Sequence, residues 1–168
     1  MPSDYKEMPW KNGQGTTREI LIEPAGASVS SNFAFRCSMA TMTADNGFSS
    51  FAGYDRVITM LPATRWDSGD AVVLTHNVIE DSPAAGAGKA TAAAAAGAAA
   101  PRSGKGDRKS PTVRLRRLQP HAFDGGWATT CRLLGAGGGK GRIEPVTDFN
   151  VIARAADHAV DMFVVRAP

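Results

Sequence analysis

The chain has little of what defines several large protein classes. Its 168 residues include only two cysteines, too few for a disulfide scaffold. It has no run of about 18 apolar residues that could form a transmembrane helix, and residues 1–7 lack the apolar segment of a secretory signal. These absences predict a soluble, cytoplasmic protein with reduced thiols and no membrane partner.

Sequence motifs of catalysis and metal binding are also missing. The histidines His76, His121 and His158 lie far apart in the sequence, whereas a metal site needs three or four convergent ligands. No G-x-S-x-G nucleophile motif occurs. Lys89 and Lys140 follow glycines but lack the next Ser or Thr of a phosphate-binding loop. We therefore predict no catalytic residue, no metal and no cofactor, and histidines with structural or surface roles.

Positive charge is confined to one segment. The net charge is +3, but residues 102–117 hold seven basic residues and one acidic residue, a net +6 that leaves −3 elsewhere. Within this segment Arg114 and Arg116 alternate with Val113 and Leu115, which predicts a strand with a solvated basic face. Because no aromatic residues are interleaved for base stacking, we predict no nucleic-acid partner. The alternative is salt-dependent nucleic-acid binding through this segment.

A low-complexity segment interrupts the chain. Twelve of the seventeen residues from 84 to 100 are alanine, which offers little apolar surface for docking a helix. We interpret residues 82–111 as a disordered insertion within a single domain that spans residues 1–168. A glycine-rich stretch at 135–141 is interpreted as a second, shorter linker.

The remaining sequence has the alternating pattern of β-strands. In one predicted strand Phe33, Phe35, Cys37 and Met39 share a side, which predicts that this side is buried. Short strands separated by Gly, Pro, Asp and Asn turns favour an antiparallel sandwich or barrel. The predicted strands cover residues 16–23, 33–41, 55–61, 71–76, 112–118, 128–134, 149–154 and 162–165.

Four short clusters combine aromatic, polar and glycine residues. In the first, Gly13 and Gly15 permit a tight turn, Lys11 can attract an anion, and Asn12 offers a donor and an acceptor. The alternative for this cluster is an ordinary polar turn. The four clusters are Trp10, Lys11, Asn12, Gly13, Gly15, Thr16, Thr17, Arg18 and Glu19; Phe48, Ser49, Phe51, Gly53, Asp55 and Arg56; Phe123, Asp124 and Gly125; and Asp148, Phe149 and Asn150.

In order and spacing these clusters resemble the HutD/Ves family, once the alanine-rich segment is treated as an insertion. The resemblance covers residues 5–80 and 112–160, and it departs from the family pattern at Gln14, where a third glycine is usual. It implies an all-β, cupin-like jelly-roll barrel. Family members usually continue with further strands, so the resemblance also implies a barrel that is incomplete at its C-terminus.

The resemblance further implies a role in histidine utilisation. It suggests a non-enzymatic protein that binds a small anionic metabolite of histidine catabolism, such as urocanate or a formyl- or formimino-glutamate, and tempers the pathway. A cupin-type enzyme acting on a small carboxylate substrate is the alternative. A homodimer is one possible oligomeric state.

Eight residues of these clusters are the predicted ligand-binding residues. Lys11 is expected to contact a ligand carboxylate, and the planar fork of Arg56 makes it a second candidate. Trp10 is expected to form an apolar wall, while Gly13 shapes the turn. The polar residues expected to offer hydrogen bonds are Asn12, Thr16, Thr17 and Asn150.

Each of these assignments has a simpler alternative. Lys11 would then lie on a solvent-exposed turn, and Asp55 and Arg56 would only brace a turn. Asp124 and Asp148 are interpreted as turn formers, because aspartate side chains accept hydrogen bonds from nearby backbone amides.

Overall fold

The computed structural model describes residues 5–62, 70–77, 111–134 and 144–162. These residues form β-strands and no helix, so the predicted all-β class is confirmed, and no helix long and apolar enough to cross a membrane occurs among them. Residues 82–110, residues 135–141 and most of the last predicted strand lie outside the described residues. The strands are β1 Lys6–Pro9, β2 Gly15–Glu23, β3 Phe35–Met42, β4 Asn46–Gly47, β5 Tyr54–Met60, β6 Asp70–Asn77, β7 Thr112–Arg116, β8 His121–Asp124, β9 Ala128–Leu133 and β10 Val146–Arg154.

The strands form two antiparallel sheets. The larger sheet has the order β1-β2-β3-β10-β5-β8 and the smaller one β4-β9-β6-β7. One isolated bridge, between Met60 and Arg117, links the two sheets. Across the described ranges the sheets do not close into a continuous barrel, consistent with the incomplete barrel that was expected.

The register of the larger sheet arranges its inner face in three rows of side chains. Directly opposite residues in antiparallel strands project from the same face, so each row runs across several strands. The first row holds Arg36, Ile152, Arg56 and Phe123; the second Glu19, Ser38, Asn150, Ile58 and His121; and the third Thr17, Ala40, Asp148 and Met60.

The hydrophobic core includes the β5 and β8 members Ile58, Met60 and Phe123 of these rows and continues beyond the third row. Met42 and Val146 pair one row beyond Asp148 and are fully buried. They pack in one cluster with Leu74 and Leu115 of the smaller sheet. Burying each such side chain contributes roughly 1.5–3 kcal/mol, so this cluster holds the two sheets together.

The predicted orientation of β3 is wrong. Exposure alternates so that Arg36, Ser38 and Ala40 face the interior, whereas Phe35 and Cys37 lie half-buried on the outer face. The physical reason is that the inner face of this strand lines a polar cavity. The charge of Arg36 is compensated there by a neighbouring strand, so burying the polar side of β3 is not prohibitive.

The interpretation of the basic strand is confirmed. Arg114 and Arg116 are exposed, and Leu115 between them is buried. Part of the concentrated positive charge therefore belongs to the solvated face of β7.

Candidate ligand-binding site

A cavity of about 570 Å³ opens against the inner face of the larger sheet. Its walls are the end of β1 with the turn that follows, residues 47–51, and the inward side chains of β3, β5 and β10. Ligand sites for small molecules fall in the range of roughly 300–1,000 Å³, so the cavity has the volume for a metabolite.

The cavity brings together most of the predicted site residues. Gly13 and Thr16 are the exceptions: Gly13 shapes the turn with a φ of 69°, and Thr16 pairs with Pro9 and Thr41 within the sheet. The predicted residues that line the cavity are Trp10, Lys11, Asn12, Thr17, Arg56 and Asn150. Residues from three separate motifs thus meet at one place.

The turn between β1 and β2 is held by its own polar groups. The backbone N–H of Trp10 donates to Gly15 at 2.9 Å, and that of Gly13 donates to Trp10 at 3.0 Å. Asn12 accepts from the backbone N–H of Gln14 and donates to its side-chain oxygen, both at 3.0 Å. The side-chain amide of Asn12 is therefore hydrogen-bonded within the turn. Its partner is Gln14, the position at which the family usually has glycine.

Trp10 is fixed as a wall of the cavity. Its indole Nε1 donates to Thr17 Oγ1 at 2.8 Å, and its ring lies directly over Gly15. A Cβ at Gly15 would come within 2.6 Å of the Thr41 carbonyl oxygen and 2.9 Å of the indole. Only glycine lets the indole and the neighbouring strand approach this closely.

Lys11 lies at the mouth of the cavity. Its side chain is exposed to solvent while it also lines the opening. Exposed charges interact weakly with a partner because water and salt screen them. Lys11 is therefore placed to attract an anion from outside rather than to hold one inside.

Arg56 is the buried cation of the cavity. Its Nε donates to Asn150 Oδ1 at 3.1 Å, and its guanidinium carbon lies 4.5 Å from the ring centroid of Phe48 and 5.5 Å from that of Phe123. Its terminal nitrogens have no hydrogen-bond partner within the part of the chain that the structure describes. Burial lowers the pKa of Arg56 to about 10, so it stays cationic at neutral pH.

The idea that Asp55 and Arg56 brace a turn is wrong. Both lie within β5, where consecutive side chains point to opposite faces of the sheet. Arg56 faces the cavity, and Asp55 pairs on the other face with Asp124.

Arg36 is a second buried cation, which the sequence did not indicate. Its Nε forms an ion pair of 2.8 Å with Glu19 Oε2, and both side chains are largely buried. Arg36 and Arg56 flank Ile152 in the first row, so their backbones are about 10 Å apart at the usual strand spacing. In the sequence, the one sign of the burial of Arg36 was its position as a single charged residue between the apolar Phe35 and Cys37.

Asp148 is not the turn former that was predicted. It lies in the middle of β10, is 1% exposed and lines the cavity. Its Oδ1 accepts the backbone N–H of Ala40 at 3.3 Å. Burial raises the pKa of this carboxyl group to about 7, although Arg56 and the Ala40 N–H act in the opposite direction.

Asp124 does form a turn, as expected. Its Oδ1 accepts the backbone N–H of Gly126 at 2.7 Å, between β8 and β9.

Two histidines that lie far apart in the sequence meet in the interior. His76 Nε2 lies 3.0 Å from His121 Nε2, and His76 Nδ1 lies 2.8 Å from Thr129 Oγ1. Because the Thr129 hydroxyl donates to the Trp127 carbonyl at 3.4 Å, it accepts from Nδ1 of His76. His76 Nε2 is then the acceptor, and His121 donates to it.

This histidine pair lies next to the cavity. The ring of Phe123 is 4.7 Å from that of His76 and also lies beneath Arg56. Burial, His121 and Arg56 lower the pKa of His76 to about 4, and burial also lowers the pKa of His121. Both rings are therefore neutral at pH 7. The described residues contain no group of three or more side chains that could hold a metal ion.

Comparison with known proteins identifies the family. The HutD family model matches residues 2–101. A 21.2 kDa protein from the hutC 3′ region of Pseudomonas putida is 48% identical over 58 residues, which are 34% of this chain and 30% of that protein. Protein Ves of Citrobacter koseri is 34% identical over 88 residues, which are 51% and 44% of the two chains.

Two solved structures share the fold. A conserved protein of unknown function from Pseudomonas aeruginosa PAO1 superposes with a TM-score of 0.57 and 28% identity, covering 91% of this chain and 55% of the other. HutD from Pseudomonas fluorescens SBW25 gives a TM-score of 0.55 and 32% identity, with coverage of 90% and 57%. The chain spans about half the length of these proteins. Because the family model matches more than half of its residues, the chain belongs to the HutD family, which confirms the resemblance of its motifs.

Proposed function

We propose that this protein binds a small anionic metabolite of histidine catabolism in the cavity beside Arg56, without converting it chemically. The observation that carries the proposal is the buried guanidinium of Arg56, held by Asn150 and two aromatic rings with its terminal nitrogens left for a ligand. A guanidinium offers two parallel donors that match a carboxylate.

The surroundings of Arg56 favour an anionic ligand. A buried cation has lost most of its hydration, which is energetically costly. An anion that hydrogen-bonds to it compensates for that loss. A charge-assisted hydrogen bond of this kind contributes about 1.5–3 kcal/mol. Because Asn150 and the rings of Phe48 and Phe123 already fix the guanidinium, little side-chain entropy is lost on binding.

The rest of the cavity accommodates the body of such a ligand. The indole of Trp10 and the ring of Phe51 supply apolar walls, and the inward rows of β3 and β10 supply polar groups at the base. Lys11 at the mouth adds a solvent-exposed positive charge that attracts anions.

The link to histidine catabolism rests on the relatives. One is named HutD, and another is encoded in the hutC region of Pseudomonas putida. For this chain we infer a ligand of the class of urocanate, formylglutamate or formiminoglutamate, and a role in modulating histidine utilisation.

Calorimetric titration of the folded protein with each of these three compounds tests the proposal. We expect heat of binding at one site per chain for at least one of them, together with a rise in the melting temperature. If none of the three compounds gives heat of binding or a thermal shift, the proposal is ruled out.

A further inference from the structure

We propose that Asp148 sets the class of ligand: it takes up a proton when an anion binds beside Arg56 and, as a neutral carboxylic acid, donates a hydrogen bond to that anion. The inference rests on the proposed function. It specifies a ligand that carries a carboxylate but no cationic group of its own.

The sheet register places Asp148 within reach of the same anion as Arg56. Asn150 accepts a hydrogen bond from Arg56 and lies two residues from Asp148 on β10. The side chains of Asp148 and Asn150 therefore emerge about 7 Å apart on the same face of the sheet. A carboxylate with a hydrogen bond of about 2.8 Å at each oxygen spans a similar distance. One anion lying over Asn150 can therefore meet the Arg56 guanidinium at one oxygen and the Asp148 carboxyl group at the other.

Asp148 has the surroundings of a carboxyl group that exists in either protonation state. It is 1% exposed, and one oxygen accepts the Ala40 N–H at 3.3 Å. Its other oxygen has no hydrogen-bond partner among the residues described, and no cation there forms an ion pair with it. Burial raises the pKa of Asp148 to about 7, so a proton from solvent is accessible near neutral pH.

The balance of buried charges around the cavity favours protonation of Asp148 when an anion binds. Arg56 on β5 and the Cys131 thiol on β9 interact electrostatically with Asp148. Arg36 on β3 and Glu19 on β2 lie on the same inner face of the sheet. Glu19 compensates Arg36, and ionised Asp148 compensates Arg56. An anion entering this arrangement adds an uncompensated negative charge in a buried place, which is strongly unfavourable. Protonation of Asp148 removes that charge, whereas a ligand with its own cationic group would not need it.

Calorimetry with formylglutamate, which has no group that titrates near pH 7, measures the proton directly. Titrations at pH 7 in phosphate and in Tris differ in heat by the number of protons taken up multiplied by the difference in buffer ionisation enthalpy. We expect uptake of about half a proton per bound anion, because the free carboxyl group is about half protonated at this pH. The apparent affinity is expected to be about tenfold lower at pH 8 than at pH 6.

Asp148→Asn is the decisive variant, because its amide keeps an acceptor for the Ala40 N–H and resembles the protonated acid. We expect it to bind formylglutamate without proton uptake and with the same affinity at pH 6 and pH 8. Asp157→Asn, which changes an exposed carboxylate, is the matched control and should keep the wild-type uptake.

Two results would overturn the proposal: binding by the wild type without proton uptake, or the same uptake in Asp148→Asn. Failure of the folded wild type to bind any of the three compounds would instead remove the proposed function, and this inference with it.

Discussion

Arg56 donates a hydrogen bond of 3.1 Å to the side-chain oxygen of Asn150, across two neighbouring strands of the larger sheet. These residues come from different motifs, and each motif alone resembles a polar turn. Together they fix a cation inside a cavity, between the rings of Phe48 and Phe123. The proposed anion site therefore depends on the register of β5 and β10.

Substituting Lys11 by Ala is expected to weaken anion binding only slightly. Lys11 is exposed at the mouth of the cavity, where a charge interaction contributes about 0–1 kcal/mol. We expect a decrease in affinity of less than about fivefold, which disappears when calorimetry is repeated at high salt. A loss of tenfold or more that persists at high salt would show that Lys11 holds the ligand directly.

The hydrogen bond between Trp10 and Thr17 is expected to stabilise the first turn. Trp10→Phe and Thr17→Val should each lower the free energy of unfolding by about 1 kcal/mol, because each leaves a polar partner unsatisfied. The double variant should be less destabilised than the sum of the two, since both remove the same bond. Urea denaturation of the four proteins measures this coupling, and strict additivity would mean that the bond contributes nothing.

Gly15→Ala is expected to be destabilising by about 1–3 kcal/mol. The added Cβ would lie 2.6 Å from the Thr41 carbonyl oxygen and 2.9 Å from the Trp10 ring, so the strand or the indole must move. Gly47→Ala is the matched control, because a Cβ there has nothing within 4 Å. Equal melting temperatures for the two variants would contradict the close packing at Gly15.

His76 is expected to make the fold sensitive to mild acid. Its pKa is about 4 in the folded protein and 6.5 ordinarily, so between pH 6.5 and pH 4 the unfolded chain binds more protons. The contribution of His76 to stability should therefore fall by up to about 3 kcal/mol as the pH falls through this window and level off below pH 4, whereas the raised pKa of Asp148 acts in the opposite direction over much of the same range.

Relative to the wild type, His76→Gln should lose this decrease in stability toward low pH, whereas His158→Gln, which changes an exposed histidine, should keep it. Urea denaturation at several pH values provides the comparison. An unchanged slope in His76→Gln would mean that His76 is not the responsible group.

Alternation in the sequence predicted most of the strands, because half-buried and buried strands have a period of two. It missed β1 Lys6–Pro9, a short edge strand with two charged residues and a proline, and β4 Asn46–Gly47, which has only two residues. It also missed β8 His121–Asp124, whose Asp and Gly neighbours favoured a turn. The orientation of β3 was also predicted wrongly, since apolarity identifies the inner face only where the interior is apolar.

The four sequence clusters identified cavity residues such as Trp10 and Arg56, because each lies among aromatic, polar and glycine residues. It missed Arg36 and Asp148, whose roles arise from burial beside particular neighbours rather than from local sequence. The contact between His76 and His121 belongs to the same group, since it depends on how β6 of the smaller sheet faces β8 of the larger one.

The most direct test of the account is a calorimetric titration of wild type and Arg56→Met with whichever of urocanate, formylglutamate and formiminoglutamate binds. Methionine keeps much of the apolar length of arginine and removes the guanidinium. We expect the folded variant to bind at least tenfold more weakly than the wild type, the loss of a contact worth about 1.4 kcal/mol or more. Equal affinity of the two proteins would contradict an anion site at Arg56.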